Sequence, residues 1–443
     1  MMLRAGAATR DISPTLGVQL CGYPHVARLA TGIHDPLLAS VLYLENGTGG
    51  VVLAVLDLLM LNANVARDLR RSVAEALQLP EACVLISCTH THSGPVSLHY
   101  LPWKGDPAMP PPDPAYLASV AHAVVEAALE AKSTAEPARI AWTTANARGV
   151  GGNRHAPDGV TDPEAGVLAV STKQRWLSLA VTYGMHPTVL HEDSTFVSAD
   201  FPFYTKAYLR DALGPELTVL YHTGPAGDQS PRHFVSGQSF AEAERLGKQL
   251  GAAVVTSLDG LKFQDTADLG GVLVPVDLPR REFPGVEQAE LQLAAQLDKY
   301  ERLRASSAGK ADLRTAEVAI FGAEGALRLA KAQRDGEIDN FLHAVQPFEV
   351  QALRIGEACA VGFPGELFAH YGLDLKRRAG ERVVPIAYAN GELQGYIVTA
   401  EAATAGGYEA AGSLFTPNAG TVLVDAALAA IRALPAPTAS PSR

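Results

Sequence analysis

The stretch that decides the reading of this chain is Ala82–Ser97, ACVLISCTHTHSGPVS. Val84 to Cys88 is a continuous apolar run, as expected of a strand buried on both faces. It runs into His90 and His92 and breaks at Ser93-Gly94-Pro95. In extended backbone, residues two apart project to the same side, so His90 and His92 share a face and Thr91 points away. Strand ends that turn sharply are where α/β proteins place their chemistry. Two imidazoles on one face suit a metal site, or a ligand beside a general acid/base. A hydrogen-bonded pair of core histidines is the alternative, and the rest of the chain has to decide.

On the N-terminal side, Val51 to Asp57 (VVLAVLD) is a second apolar strand that ends in a carboxylate. Between the two, Asn64 to Leu79 predicts a helix: Val65, Leu69, Val73 and Leu77 recur every four residues, and Pro80 ends it. Strand, helix and strand make a parallel βαβ unit, which brings Asp57 and His90 out at the same sheet edge. Before it, Gly32-Ile33-His34-Asp35 leads into a strand over Leu38 to Glu45.

On the C-terminal side, His99 to Pro112 is a proline-rich loop carrying Tyr100 and Trp103, read as a wall, a lid or a rigid surface loop. Asp113-Pro114 caps a helix running to Lys132. Ala138 to Thr144 and Gly166 to Val170 read as strands around a glycine-rich loop with Asn153, Arg154 and His155. Trp176 to Met185 is another apolar strand, and it too ends in a histidine, His186. Val219 to His222 enters a turn that presents Asp228 and Ser230. Helices are expected at Ser239 to Ser257, Val286 to Arg304 and Lys310 to Ala332, the last two forming an antiparallel hairpin that serves as scaffold or subunit contact. Glu349 to Ile355 and Ala358 to Gly362 form a strand pair leading to Phe363-Pro364-Gly365-Glu366; Val383 to Tyr388 is a strand and Val422 to Leu434 a final helix. No internal repeat is visible.

Composition narrows the function classes. The 443 residues are 47% hydrophobic and 19% charged, ordinary for a globular chain. A net charge of −11 disfavours nucleic acid or an anionic membrane surface as partner. No stretch reaches the roughly 20 apolar residues of a membrane span, and the start, MMLRAGAATRDIS, lacks a signal-peptide core; a cytoplasmic protein is expected. Four cysteines without a C-x-x-C pair argue against a disulfide framework or a structural zinc cluster. The expected fold class is α/β, with mixed, largely parallel sheets, flanking helices and a zinc site at strand ends. One domain is expected over 1–435, with the helical hairpin at 286–332 inside it and a disordered tail at 436–443.

A catalytic zinc needs three protein ligands of N, O or S type and leaves a position for water. His90, His186 and Glu366, each at a strand end or tight turn, are the strongest candidates. The ordered string of motifs resembles the catalytic domain of the neutral/alkaline ceramidases, zinc-dependent amidases, over nearly the whole chain. It runs through Asp11-Ile12, Gly22-Tyr23, Gly32-Ile33-His34, Thr89-His-Thr-His-Ser-Gly-Pro95, Asn153-Arg154, the His186 strand, Gly227-Asp-Gln-Ser-Pro231, Pro364-Gly365-Glu366, Tyr396 and Tyr408-Glu409.

The resemblance implies zinc held by His90, His186, Glu366 and the phenolic oxygen of Tyr396. It also implies that His92, Arg154 and Tyr408 surround the scissile amide, with Ser230 nearby. Asp228 or Asp57 is expected to orient a ligand imidazole. The implied reaction, in sphingolipid metabolism, releases a fatty acid and an amine from an N-acyl lipid. Well-known family members usually carry an entry signal and a further C-terminal β-sandwich module, and are often secreted. This chain shows neither feature, so a soluble N-acyl amide stands beside ceramide as substrate. A zinc esterase or phosphoesterase, or a non-catalytic protein retaining the pocket, are the alternatives. A homo-oligomer stays open.

Overall fold

The computed structural model describes residues 2–435 except Pro24 and Glu381; the tail expected at 436–443 lies outside them. One chain pattern, three strands, a helix, a fourth strand and a closing helix, occurs three times. The first unit is β1 (Arg4–Asp11), β2 (Leu38–Glu45), β3 (Gly50–Leu56), α1 (Ala63–Leu77), β4 (Val84–Cys88) and α2 (Pro114–Ser133). The second is β5 (Arg139–Asn146), β6 (Glu164–Ser171), β7 (Trp176–Tyr183), α3 (Phe201–Leu213), β8 (Thr218–Thr223) and α4 (Phe240–Ser257). The third begins with β9 (Leu269–Val276) and then makes an excursion through α5 (Val286–Ala305), α6 (Lys310–Arg334) and α7 (Glu337–Val345). It resumes with β10 (Phe348–Ile355), β11 (Ala358–Gly362), α8 (Ala369–Arg378), β12 (Arg382–Ile386) and α9 (Asn418–Ala433).

In each unit the fourth strand lies beside the third, then come the second and the first. The first three strands pair antiparallel; only the third and fourth are parallel, β3 with β4, β7 with β8 and β11 with β12. The sheets are therefore mixed but largely antiparallel, which corrects the expectation of largely parallel sheets. The second and third strands of each unit are joined by short links that return antiparallel, whereas the parallel third and fourth strands need a crossover, and each unit has one helix in that position.

The continuous apolar runs are explained by burial on two sides. Val51, Leu53 and Val55 of β3 face a central core, while Val52, Ala54 and Leu56 face the layer of α1 and α2. The same split recurs in β6, where Leu168 and Val170 face inward and Val167 and Ala169 outward. In β10, Leu353 and Ile355 join the central core and Val350 and Ala352 the outer one. One central cluster thus holds the inner faces of all three sheets, and helices cover the outer faces. Among the described residues no helix is long and apolar enough to cross a membrane.

The expected hairpin of α5 and α6 is present. The middle of α6 lies over loops of the first two units: Arg314 pairs with Glu192 at 2.8 Å, Phe321 stacks on His25 and Arg328 pairs with Asp106. Because each parallel pair is joined by a crossover helix, both of its carboxyl ends open on one edge. Those ends carry Asp57 and His90, then His186 and Asp228, then Glu366 and Tyr388.

Candidate metal centre

His90 follows β4 by two residues and is held at φ 66°, with its N–H donating to Leu58 O at 2.9 Å. His186 follows β7, and Glu366 follows β11 through the Pro364-Gly365 turn, where Gly365 takes φ 72°. The three units bring these side chains together. His186 Nε2 lies 3.1 Å and His90 Nε2 3.4 Å from the same carboxylate oxygen, Glu366 Oε2. All three are buried, with 1%, 1% and 5% exposure for His90, His186 and Glu366.

The opposite ring nitrogens are committed. His90 Nδ1 lies 3.1 Å from Leu59 O, and His186 Nδ1 lies 2.7 Å from Ala226 O and 3.0 Å from Gln229 O. A carbonyl only accepts, so Nδ1 carries a proton in each ring and Nε2 is the atom left to face Glu366. Burial pushes the His186 pKa down to about 4, against the pull of Glu366. Burial alone would raise Glu366, but His90 and His186 hold its carboxyl well below the usual range. Two imidazole nitrogens thus converge on one buried carboxylate oxygen, an arrangement that a cation satisfies. Backbone carbonyls fixing the far nitrogens are also what metal-ligating histidines need.

Tyr396 reaches the site by strand pairing: Glu366–Leu367 runs parallel to Tyr396–Ile397, with Glu366 opposite Tyr396. Burial raises its phenol well above the ordinary range, Glu366 adding to this and Arg154 opposing it. Arg154 Nε donates to Glu409 Oε1 at 2.6 Å while the guanidinium lies 5.2 Å from the Tyr396 ring centre. Tyr408 sits edge-on to Tyr396, with ring centres 5.9 Å apart. Ser230 lies in a short ladder against Gly152, and the same segment accepts Arg154 N–H at Asp228 O and His186 N–H at Gln229 O. Its hydroxyl accepts from Arg232 N at 3.2 Å.

His92 is placed differently from the other two histidines. Its Nε2 is 3.3 Å from His90 Nε2, and His90, His92 and His186 form a buried group whose ring nitrogens lie within 4.8 Å of one another. Its Nδ1, however, finds no hydrogen-bond partner among the described residues. Burial, then His90 and His186, hold its pKa well below the usual value. A ring with neither nitrogen committed to a carbonyl can exchange tautomers, which suits proton transfer better than fixed ligation. Tyr23 packs edge-on to it at 5.1 Å, and Arg28 holds its carbonyl oxygen at 2.7 Å.

Gly22 is the floor under that ring: at φ 105°, a Cβ there would stand 2.5 Å from His92 Cγ. Gly22→Ala is expected to displace the imidazole and cut turnover about 100-fold while bound metal stays. Steady-state kinetics with metal analysis checks this.

The second-sphere roles expected of Asp57 and Asp228 are not what the structure has. Asp57 forms a buried ion pair with Lys206 at 2.6 Å. Asp228 accepts from Asn153 Nδ2 at 3.2 Å and from the backbone N–H of Ala369 at 2.8 Å. Backbone carbonyls orient the imidazoles instead, and a carbonyl leaves no signature in a sequence. Tyr388 was also missed: its ring stacks on His90 with centres 4.0 Å apart, and its buried hydroxyl finds no partner among the described residues. Its position two residues beyond β12, matching His90 two beyond β4, was the available signal.

No protein-family model and no curated protein matches the sequence. The fold, however, is that of the neutral ceramidases. Neutral ceramidase from Pseudomonas aeruginosa superposes with a TM-score of 0.74 at 19% identity, covering 100% of this chain and 76% of that one. A structure described as ceramidase complexed with C2 gives 0.75 at 18% identity, covering 100% of this chain and 77% of that one.

Proposed function

We propose that the protein is a ceramidase-like, zinc-dependent amidohydrolase cleaving N-acylsphingosine or a related linear N-acyl amide to a fatty acid and an amine. The observation that carries this is the convergence of His90 Nε2 and His186 Nε2 on one oxygen of the Glu366 carboxylate. The fold likeness to ceramidases supports the substrate class.

His90, His186, Glu366 and Tyr396 would hold the zinc, two imidazoles and a carboxylate being an ordinary donor set for it and the phenol an unusual fourth donor. When bound, zinc polarises a carbonyl and lowers the pKa of water to near neutrality. The protein's own groups do the rest. His92, neutral and with an uncommitted nitrogen, accepts the proton of the attacking water and returns it to the leaving nitrogen. The carbonyl oxygen gains negative charge as the amide carbon becomes tetrahedral, and Arg154, held rigid by Glu409, and the Tyr408 hydroxyl donate to it. Ser230, on the segment that holds the backbones of Arg154 and His186, is a further polar group nearby.

The test is chelation followed by zinc add-back on a short-chain N-acyl sphingosine and its ester analogue. Activity should vanish and return with zinc, with the amide cleaved. Ester-only turnover would favour the esterase reading, and unchanged activity after chelation would overturn the mechanism. His92→Ala should lose about 100- to 10,000-fold in kcat with zinc retained; a protein that only binds would lose nothing measurable.

A further inference from the structure

The segment joining β12 to Tyr396, residues 387–395, is folded against its own backbone preferences. Tyr388, Asn390 and Gln394 have φ of 54°, 58° and 57°, and Gly391 and Gly395 reach 113° and 124°. Non-glycine residues adopt such angles only when their surroundings over-determine them. Here a fully buried polar network does so. Glu392, 0% exposed, accepts from Asn62 Nδ2 at 2.8 Å and from the backbone N–H of Gln394. The Gln394 side chain, 1% exposed, donates to His99 O at 2.8 Å and accepts from Leu101 N at 2.6 Å. Asn62, just before α1, accepts from His99 N at 2.7 Å and donates to His99 O at 3.2 Å. Three side chains therefore tie the loop that delivers Tyr396 to the beginning of the 99–112 wall.

We propose that Glu392, Gln394 and Asn62 are positioning residues that clasp the strained Tyr396 loop to the His99–Leu101 wall and so fix the phenol beside Glu366. The inference rests on Tyr396 serving the metal site. Removing one member leaves the others buried and half-paired, which is costly in a low-dielectric interior. The loop is then free to relax toward ordinary backbone angles, carrying Tyr396 with it. Because Gln394 spans both sides of the contact, its loss loosens the wall as well as the loop.

The experiment compares wild type, Gln394→Met, Glu392→Gln, Tyr396→Phe and the Gln394→Met/Tyr396→Phe double variant. Each is loaded with cobalt(II), whose visible spectrum reports its ligands, and each is followed by amide hydrogen exchange. Gln394→Met should keep its cobalt but shift the spectrum toward that of Tyr396→Phe, and lower kcat about 10- to 100-fold with KM within about 2-fold. The double variant should be no slower than Tyr396→Phe alone, because the clasp acts through the phenol. Exchange should rise together in segments 97–101 and 387–397 and nowhere else, with the milder Glu392→Gln falling between. Multiplying losses in the double variant, or exchange that stays unchanged in the 97–101 segment, would overturn the proposal. A wild type that takes up no cobalt would overturn the metal reading instead, and the paired exchange response would then decide the clasp on its own.

Discussion

Lys206→Met should destabilise the protein by about 3–5 kcal/mol, because it strands a carboxylate that has no access to water. Lys206 and Asp57 are 2% and 1% exposed, and Lys206 Nζ contacts both Asp57 oxygens, at 2.8 and 2.6 Å. Asp57 also accepts from Leu38 N at 2.9 Å, so the pair joins the end of β3 to the start of β2 and to α3. Replacing both partners, Asp57→Leu with Lys206→Met, should restore most of the loss, since the cost lies in the unpaired charge and not in the absent attraction. Urea unfolding of the single and double variants measures this. A loss below about 1 kcal/mol in the single variant would mean that water reaches the pair. The pair also has counterparts in the other two units. It occupies in the first unit the strand-end position that holds His186 in the second and Glu366 in the third. The same topological slot holds an internal ion pair once and a candidate metal ligand twice.

His186→Ala is expected to abolish metal binding. Groups that only orient a ligand cost about 10- to 100-fold in metal affinity when removed, so loss of a ligand itself should exceed 100-fold. Metal content after desalting should fall from about one ion per chain to near zero, and turnover should fall with it. Far-UV circular dichroism should stay unchanged, since the backbone N–H of His186 keeps its bond to Gln229 O when the ring is removed. Retained metal with lost activity would move His186 out of the ligand set.

How much of this was legible in the sequence follows from which signals are local. β3, β4 and β7 were read within a residue or two because strands buried on both faces are apolar runs broken only by small hydroxyl residues, here Ser87, Ser178 and Thr182. The strand-end positions of His90, His186 and Glu366 were legible for the same reason. β1, with the sequence RAGAATRD, and β9, with LGGVLVPV, were not. The first is small and charged, and the second carries Gly270, Gly271 and Pro275 on a sheet edge, where the ladder tolerates them. Missing those two outer strands hid both the antiparallel majority and the threefold recurrence of the topology. The third unit hides it further, since α5, α6 and α7 separate its first strand from its second.

Within the site, residue types were legible and their partners were not. A histidine at a strand end suggests a ligand, but the carbonyls of Leu59, Ala226 and Gln229 that orient the rings come from distant turns. Tyr396 was chosen by resemblance alone, and what places it is a two-residue ladder too short to leave a pattern. The hairpin was legible as two helices, but not the fact that α6 lies over His25, Glu192 and Asp106.

The most direct measurement is an anomalous difference map at the zinc absorption edge from crystals of the metal-loaded protein. One strong peak is predicted about 2.0–2.2 Å from His90 Nε2, His186 Nε2 and a Glu366 oxygen, with the Tyr396 phenolic oxygen as the fourth protein donor and His92 adjacent but unligated. No peak there, or a zinc ion bound elsewhere with Glu366 still against the two imidazoles, would contradict the account.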